Sequence, residues 1–168
     1  MGTRPAYAGS MLERHTTALP EELVPSLGDS GLDPADWIAE TGSHEALIGY
    51  LDLVWRDFVL HDGCLLRASF SVENYDHWME HLGGDRTAVE VMINHVHVLD
   101  LFDRDQPGIT RAQVVLVGRL LREMWTAKLA REFPDLDITV SFPEDGEPED
   151  LVEYEITVFV ERGSSKSG

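Results

Sequence analysis

From Ser43 the apolar positions fall into helical register. Leu47, Leu51, Val54 and Phe58, with Ile48 and Trp55 beside them, recur at helical spacing up to His61-Asp62-Gly63, which reads as a stop. Cys64 to Phe70 then alternates, with Cys64, Leu66, Ala68 and Phe70 on one face, and predicts a short strand. Ser71 caps a helix through Leu82, with Val72, Tyr75, Met79 and Leu82 inward and Gly83-Gly84 as its exit. Thr87 and Glu90 have the spacing of a capping box and announce a helix to about Phe102, apolar over most of its circumference.

Asp105-Gln-Pro-Gly108 is a turn, and Thr110 with Gln113 opens the longest helix, through about Phe133. That helix turns Val114, Val117, Leu121, Met124 and Trp125 inward. Gly118 in its middle costs about 1 kcal/mol against Ala, so another element is expected to approach it closely. Ile138 to Phe142 and Leu151 to Glu161 read as strands, the second burying Tyr154, Ile156, Val158 and Val160 and leaving the other face mostly wet. Ahead of all this, Pro20, Pro25, Gly28, Gly31 and Pro34 allow only a short helix near 20–24 and a helical turn after Asp33-Pro34.

This order predicts an α+β fold: a predominantly helical single domain whose small, mostly antiparallel sheet has one strand near 64–70 and a C-terminal hairpin near 138–161. Its expected limits are 20–162, with a flexible N-terminal segment at 1–19 and a flexible tail at 163–168. Strands and helices alternate too seldom for a doubly wound parallel sheet.

Charge changes the picture most. Lys and Arg number 13 against 31 Asp and Glu, a formal charge of −18 on 168 residues, so the average surface repels nucleic acids and anionic membranes. A hydrophobic fraction of 43% nevertheless marks a globular chain rather than an acidic disordered tail. The acidity has two readings: adaptation across a whole proteome, which the near absence of lysine beyond Lys128 and Lys166 fits, or selection for one basic partner. Cys64, alone, permits no internal disulfide, and no stretch reaches the roughly 18 apolar residues of a membrane span. A soluble cytoplasmic protein is the expectation.

Several residues could carry chemistry. His77-Trp-Met-Glu-His81 has the H-x-x-E-H spacing, in which two imidazoles a helical turn apart share a metal and Glu80 activates its water; Glu73, one turn earlier, could add a ligand. The same residues lie opposite Tyr75, Met79 and Leu82 and equally suit a solvated helix face. His95-Val-His97 would aim both rings at one metal on a strand, whereas on the helix expected here they stand about 200° apart, His95 packing with Val91, Val98 and Phe102 and His97 joining Glu90 and Asn94 on a polar stripe. Cys64 near His61 has the types of a thiol nucleophile and its base but reads first as a small core residue; Trp37, Trp55, Trp78 and Trp125 read as core or rim. Leu82-Gly-Gly-Asp85 lacks the Lys-Ser/Thr of a phosphate loop.

The last feature is an asymmetry. Glu144, Asp145, Glu147, Glu149, Asp150, Glu153 and Glu155 crowd one loop and the strand leaving it, while Arg111, Arg119, Arg122, Lys128 and Arg131 sit on the long helix. Either the helix bases offset the loop internally, or the loop is a prong for a basic protein, presenting carboxylates where phosphates would lie as inhibitors and immunity proteins of nucleases do. The leading expectation is a non-catalytic acidic protein acting through protein contacts, without cofactor, with Glu144, Asp145, Glu147, Glu149, Asp150 and Glu153 as its contact surface. The alternative is a hydrolase dependent on zinc or another divalent metal, using His77, Glu80 and His81 with Glu73 or His97.

Overall fold

The structure is a computed structural model that describes residues 39, 42–101, 108–143 and 148–163. The expected segment 1–19, the helix near 20–24, the turn after Asp33-Pro34, Trp37, Phe102, the turn residues before Gly108, the loop positions 144–147 and the tail beyond Gly163 lie outside the described residues.

The chain forms α1 (His44–Val54), β1 (Phe58–His61), β2 (Cys64–Arg67), α2 (Val72–His81), α3 (Arg86–Asn94), β3 (Val96–His97), a 3-10 turn (Val98–Leu101), α4 (Arg111–Glu132), β4 (Ile138–Ser141), a second 3-10 turn (Leu151–Glu153) and β5 (Glu155–Val160). It is an α+β domain with two small antiparallel sheets, β1-β2 and β3-β5-β4. Among the described residues no helix is long and apolar enough to cross a membrane.

Side chains satisfy the free N–H groups at each helix start, which is why the boundaries fall where they do. Ser43 Oγ accepts from the Ala46 N–H and Ser71 Oγ from the Asn74 N–H, each at 3.1 Å. Thr110 and Gln113 form a reciprocal capping box on α4. Gly84 N–H closes α2 by donating to Met79 O at 2.9 Å, with Gly83 and Gly84 at φ +62° and +82°, a conformation glycine takes without strain.

The helix expected to run to His61 ends at Val54 instead. Asp62 and Gly63 both take positive φ, 48° and 79°, the conformation of a type I′ hairpin turn, and Phe58–His61 folds back as a strand on Cys64–Arg67 with Phe58 opposite Arg67. Hairpin hydrogen bonds outweigh helical periodicity here because the helix register would leave Leu47 and Leu51 exposed in any case; both are about half exposed on α1, as are Ile48 and Tyr50. The strand at 64–70 is shorter than expected and buried on both faces: Leu65 packs with Phe58, Trp125 and Ile156, whereas Cys64 and Leu66 pack with Tyr75, Val89 and Ile93. Val72, expected inward, is exposed.

The helix expected over 87–102 is capped one turn's edge earlier, by Asp85, and stops at Asn94. His95 is extended, and Val96 and His97 pair with Ile156 and Glu155. Glu90 does not close a capping box. It is fully buried, and Oε1 accepts from the Leu65 N–H (2.6 Å) while Oε2 accepts from the Val160 N–H (2.8 Å). Arg162 donates to both oxygens, at 2.7 and 2.9 Å. Asn94, one turn on, donates to Leu65 O and Val158 O and accepts from the Arg67 N–H. The supposed polar stripe of α3 is therefore a buried seam between β2 and β5.

The C-terminal hairpin forms, but its second strand begins at Glu155 rather than Leu151, because Asp150 caps Leu151–Glu153 as a 3-10 turn, and its first strand ends at Ser141. Ile138 pairs with Val160 and Ser141 with Thr157, and Tyr154, Ile156, Val158 and Val160 are all buried. Thr157 on the opposite face is buried too, so that face is drier than its alternation implied. α4 packs on this sheet through Val114, Leu121, Trp125 and Leu129, and Trp125 Nε1 donates to Leu53 O at 3.0 Å, tying in α1. Lys128, fully buried on α4, donates to Asp57 Oδ1 (3.2 Å) and Glu132 Oε2 (2.6 Å); its hydrogen bond holds the Glu132 carboxyl below the usual carboxylate range.

Two consequences can be measured by urea denaturation. A Cβ at Gly118 would fall well inside contact distance of Phe142 Cε2 and Cζ. Helix propensity alone predicts that Gly118→Ala stabilises by about 1 kcal/mol; overpacking predicts a loss of about 1–3 kcal/mol, reduced in the Gly118→Ala/Phe142→Leu double variant, and that is the expected result. Arg162→Ala leaves the Glu90 carboxylate buried without its cation and should destabilise by about 3–5 kcal/mol, with Glu90→Ala and Arg162→Ala together losing less than the sum. Additive losses would show that the pair is not coupled.

Candidate acidic contact site

The segment entering β5 is fixed before it is acidic. Arg111, in the first turn of α4, donates through Nη1 to Pro148 O and to the Tyr154 hydroxyl (2.7 Å) and through Nη2 to Glu149 O (2.8 Å), and its guanidinium lies over the Tyr154 ring. One expected helix base therefore meets the acidic loop, but through backbone carbonyls rather than carboxylates. Asp150 Oδ1 accepts from the Val152 N–H at 3.2 Å and starts the 3-10 turn. Val152 and Glu153 are thereby presented to solvent, and β5 begins at Glu155 opposite His97.

Between these elements lies an open cavity of about 850 Å³. Leu99, Ile109 and Val152 supply apolar walls, and Glu153, Glu155 and Asp100 bring carboxylates. His97 Nδ1 is 2.9 Å from Val152 O; a carbonyl oxygen only accepts, so Nδ1 carries the proton. Among the described residues neither Glu153 nor Glu155 takes part in an ion pair. An apolar-walled cleft with unpaired carboxylates accommodates a long cationic side chain, whose methylene stem needs apolar surface and whose head needs acceptors.

Of the expected contact residues, Glu149, Asp150 and Glu153 stand on this exposed segment, while Glu144, Asp145 and Glu147 lie outside the described residues. His97, Leu99 and Asp100 join these and Glu155 only through the pairing of β3 with β5, which the helical reading of 95–102 hid. An extended His95–His97 could have been suspected from Val96-His-Val98, but two residues are too few for a strand signal.

The histidine pairs are placed differently from one another. His77 and His81 lie exposed on α2 with rings stacked, centroids 6.0 Å apart, and Glu73 and Glu80 are exposed on the same helix. His95 and His97, on extended backbone instead of a helix, bring their rings to 5.4 Å at an interplanar angle of 80°, both half-buried. No group of three or more His, Cys, Asp or Glu side chains among the described residues is arranged to hold a metal ion, so His97 and Glu73 do not complete a site with His77, Glu80 and His81. Cys64 is fully buried, and burial followed by the Glu90 charge pushes its thiol up, away from the thiolate a nucleophile needs. His61 packs against Phe70 and Tyr75, centroids 5.0 and 4.8 Å away. Trp125 is core, Trp78 half-buried and Trp55 half-exposed beneath the Arg131 guanidinium.

Comparisons with protein families, with curated proteins and with solved structures find no match to this chain.

The α2 geometry generates a direct test. Two stacked, exposed imidazoles without a third ligand bind zinc weakly. Protein purified without a histidine tag should carry only substoichiometric zinc, and chelator should leave its Tm unchanged. Stoichiometric metal that is lost in His77→Ala would overturn this expectation.

Proposed function

We propose that this protein acts without catalysis, by docking on a basic protein whose arginine or lysine side chain enters the cleft between β3 and the segment 148–155. The observation that carries this reading is the pairing of an apolar wall, Leu99, Ile109 and Val152, with the carboxylates of Glu153 and Glu155, which have no ion pair among the described residues. A formal charge of −18 would steer such a partner toward the protein over several ångströms before contact, and the cleft would then supply the short-range fit that charge alone lacks. Glu149 and Asp150, on the segment held by Arg111, extend the same acidic face. An inhibitor or immunity protein for a basic enzyme is the biological class that this chemistry suits.

An alternating Arg-Gly peptide, followed by amide shifts of the labelled protein, tests the reading. Saturable shifts are expected at Leu99 and Val152–Glu155, with affinity falling as salt rises from roughly 50 to 500 mM, where the Debye length shrinks from about 14 to about 4 Å. Glu153→Gln/Glu155→Gln should weaken binding about tenfold or more, equivalent to about 1.4 kcal/mol. A separate variant with Ser or Asn at Glu144, Asp145, Glu147, Glu149 and Asp150 reads the contribution of the loop beyond the cleft. Unchanged affinity in both variants, or shifts spread evenly over every acidic face, would overturn the proposal.

A further inference from the structure

A second cavity, about 260 Å³, lies on the other side of His97 and has the opposite chemistry. Arg56, Arg67, His95 and His97 line it, with Asp100 as the one carboxylate among its lining residues. The hairpin creates this convergence. β1 places Phe58 opposite Arg67, so Arg56, just before β1, and Arg67, at the end of β2, arrive at the same end of the ribbon, and the extended 95–97 backbone brings the two imidazoles to them.

Three observations show that these cations are held together without an internal explanation. Neither guanidinium forms an ion pair with a carboxylate among the described residues, although the chain carries 31 acidic residues. Arg67 Nε is buried and has no hydrogen-bond partner, which leaves a charged donor unsatisfied and costly to desolvate. Arg56 is half-buried over the Trp125 ring, 5.6 Å from its centroid, and burial and then the Arg67 charge lower its pKa, with Asp52 opposing. An arginine stays protonated under such pressure, so the two positive charges face one another at a fixed cost. Asp100 already has an interaction of its own and is exposed. Elsewhere the chain satisfies its buried cations: Arg162 with Glu90, Lys128 with Asp57 and Glu132.

We infer that the cavity formed by Arg56, Arg67, His95 and His97 is a binding site for a small tetrahedral oxyanion, inorganic phosphate or the phosphate group of a small phosphate monoester. Two planar guanidinium forks give directed donors that fit phosphate oxygens, and the His95 ring, which among the described residues has no hydrogen bond to a backbone carbonyl like that of His97, can add an imidazole N–H. The volume admits a phosphate with a small substituent and lies just under the lower end, about 300 Å³, of the range for drug-sized ligands. The site shares His97 and Asp100 with the acidic cleft, but Arg56 and Arg67 line this cavity alone.

The test is titration of the labelled full chain at constant ionic strength with inorganic phosphate, methyl phosphate and acetate, following the amides of Arg56, Arg67, His95 and His97. Saturation by phosphate with a Kd of about 1 mM or tighter is expected, a tenfold loss in Arg67→Lys, which keeps the charge but removes the fork, and a similar loss in Arg56→Gln. Arg131→Gln, on α4, should bind as the wild type does. Tighter binding of methyl phosphate than of phosphate identifies an esterified ligand, and the reverse order identifies the free ion. Shifts that stay linear in phosphate, acetate binding as tight as phosphate, or well-dispersed spectra of both arginine variants with wild-type affinity would overturn the inference.

Discussion

Glu90 and Asn94 stand on successive turns of α3 and together hold the backbone of two strands that do not pair with each other. β3 pairs with β5 only at Glu155 and Ile156, so along Val158 and Val160 that edge of β5 lacks a strand; β2, paired on its other side with β1, faces it. The side chains of α3 fill this gap, accepting from the N–H groups of Leu65, Arg67 and Val160 and donating to the carbonyls of Leu65 and Val158. A buried edge without such partners would leave several backbone groups unsatisfied, each at a penalty of about 1–3 kcal/mol. The arrangement in turn requires a cation for the Glu90 carboxylate. Arg162 supplies it and reaches on to Gly63 O in the hairpin turn, so the end of β5, α3 and the β1-β2 turn are fixed by one side chain.

The same constraint positions both cavities. With α3 ended at Asn94, the chain leaves it extended, and His95 to His97 become the wall that separates the acidic cleft from the arginine pair. A helix continued through Phe102 would have put the two histidines on different faces and removed the pairing of His97 with Glu155. Leu65, locked to Glu90, sets the register of β2, and the register carries Arg67 to the end of the ribbon where Arg56 lies.

Surface charge follows from how the bases are used. Arg162, Lys128 and Arg111 turn to a buried carboxylate, to Asp57 and Glu132, and to backbone carbonyls, respectively. Cations engaged inside the fold do not neutralise the outer face, so the exposed acidic surplus around Glu149, Asp150 and Glu153 exceeds what the composition of the segment alone conveys. Arg111 tethers the acidic segment through the Pro148 and Glu149 carbonyls, and Glu149, Asp150 and Glu153 stand exposed.

Local chemistry was legible in the sequence. The caps at Ser71 and Thr110, the glycine exit of α2, the close approach at Gly118 and the alternation of Tyr154 to Val160 each depend on neighbours within a few residues, and together they determined the α+β class and the C-terminal hairpin. The acidic segment was legible as composition. What the tertiary structure decided has longer reach. Asp62-Gly63 carried a hairpin signal, but it competed with a helical periodicity that runs on to Phe58, past the Val54 at which the helix ends. Glu90 had the spacing of a cap and became a bridge because Leu65 and Val160, 25 and 70 residues away, needed an acceptor in a place water does not reach. Pattern along a chain records which face of an element is apolar; it does not record which distant backbone groups will be left unpaired. That is why the seam on α3 and the two oppositely charged cavities beside His97 emerged only with the fold.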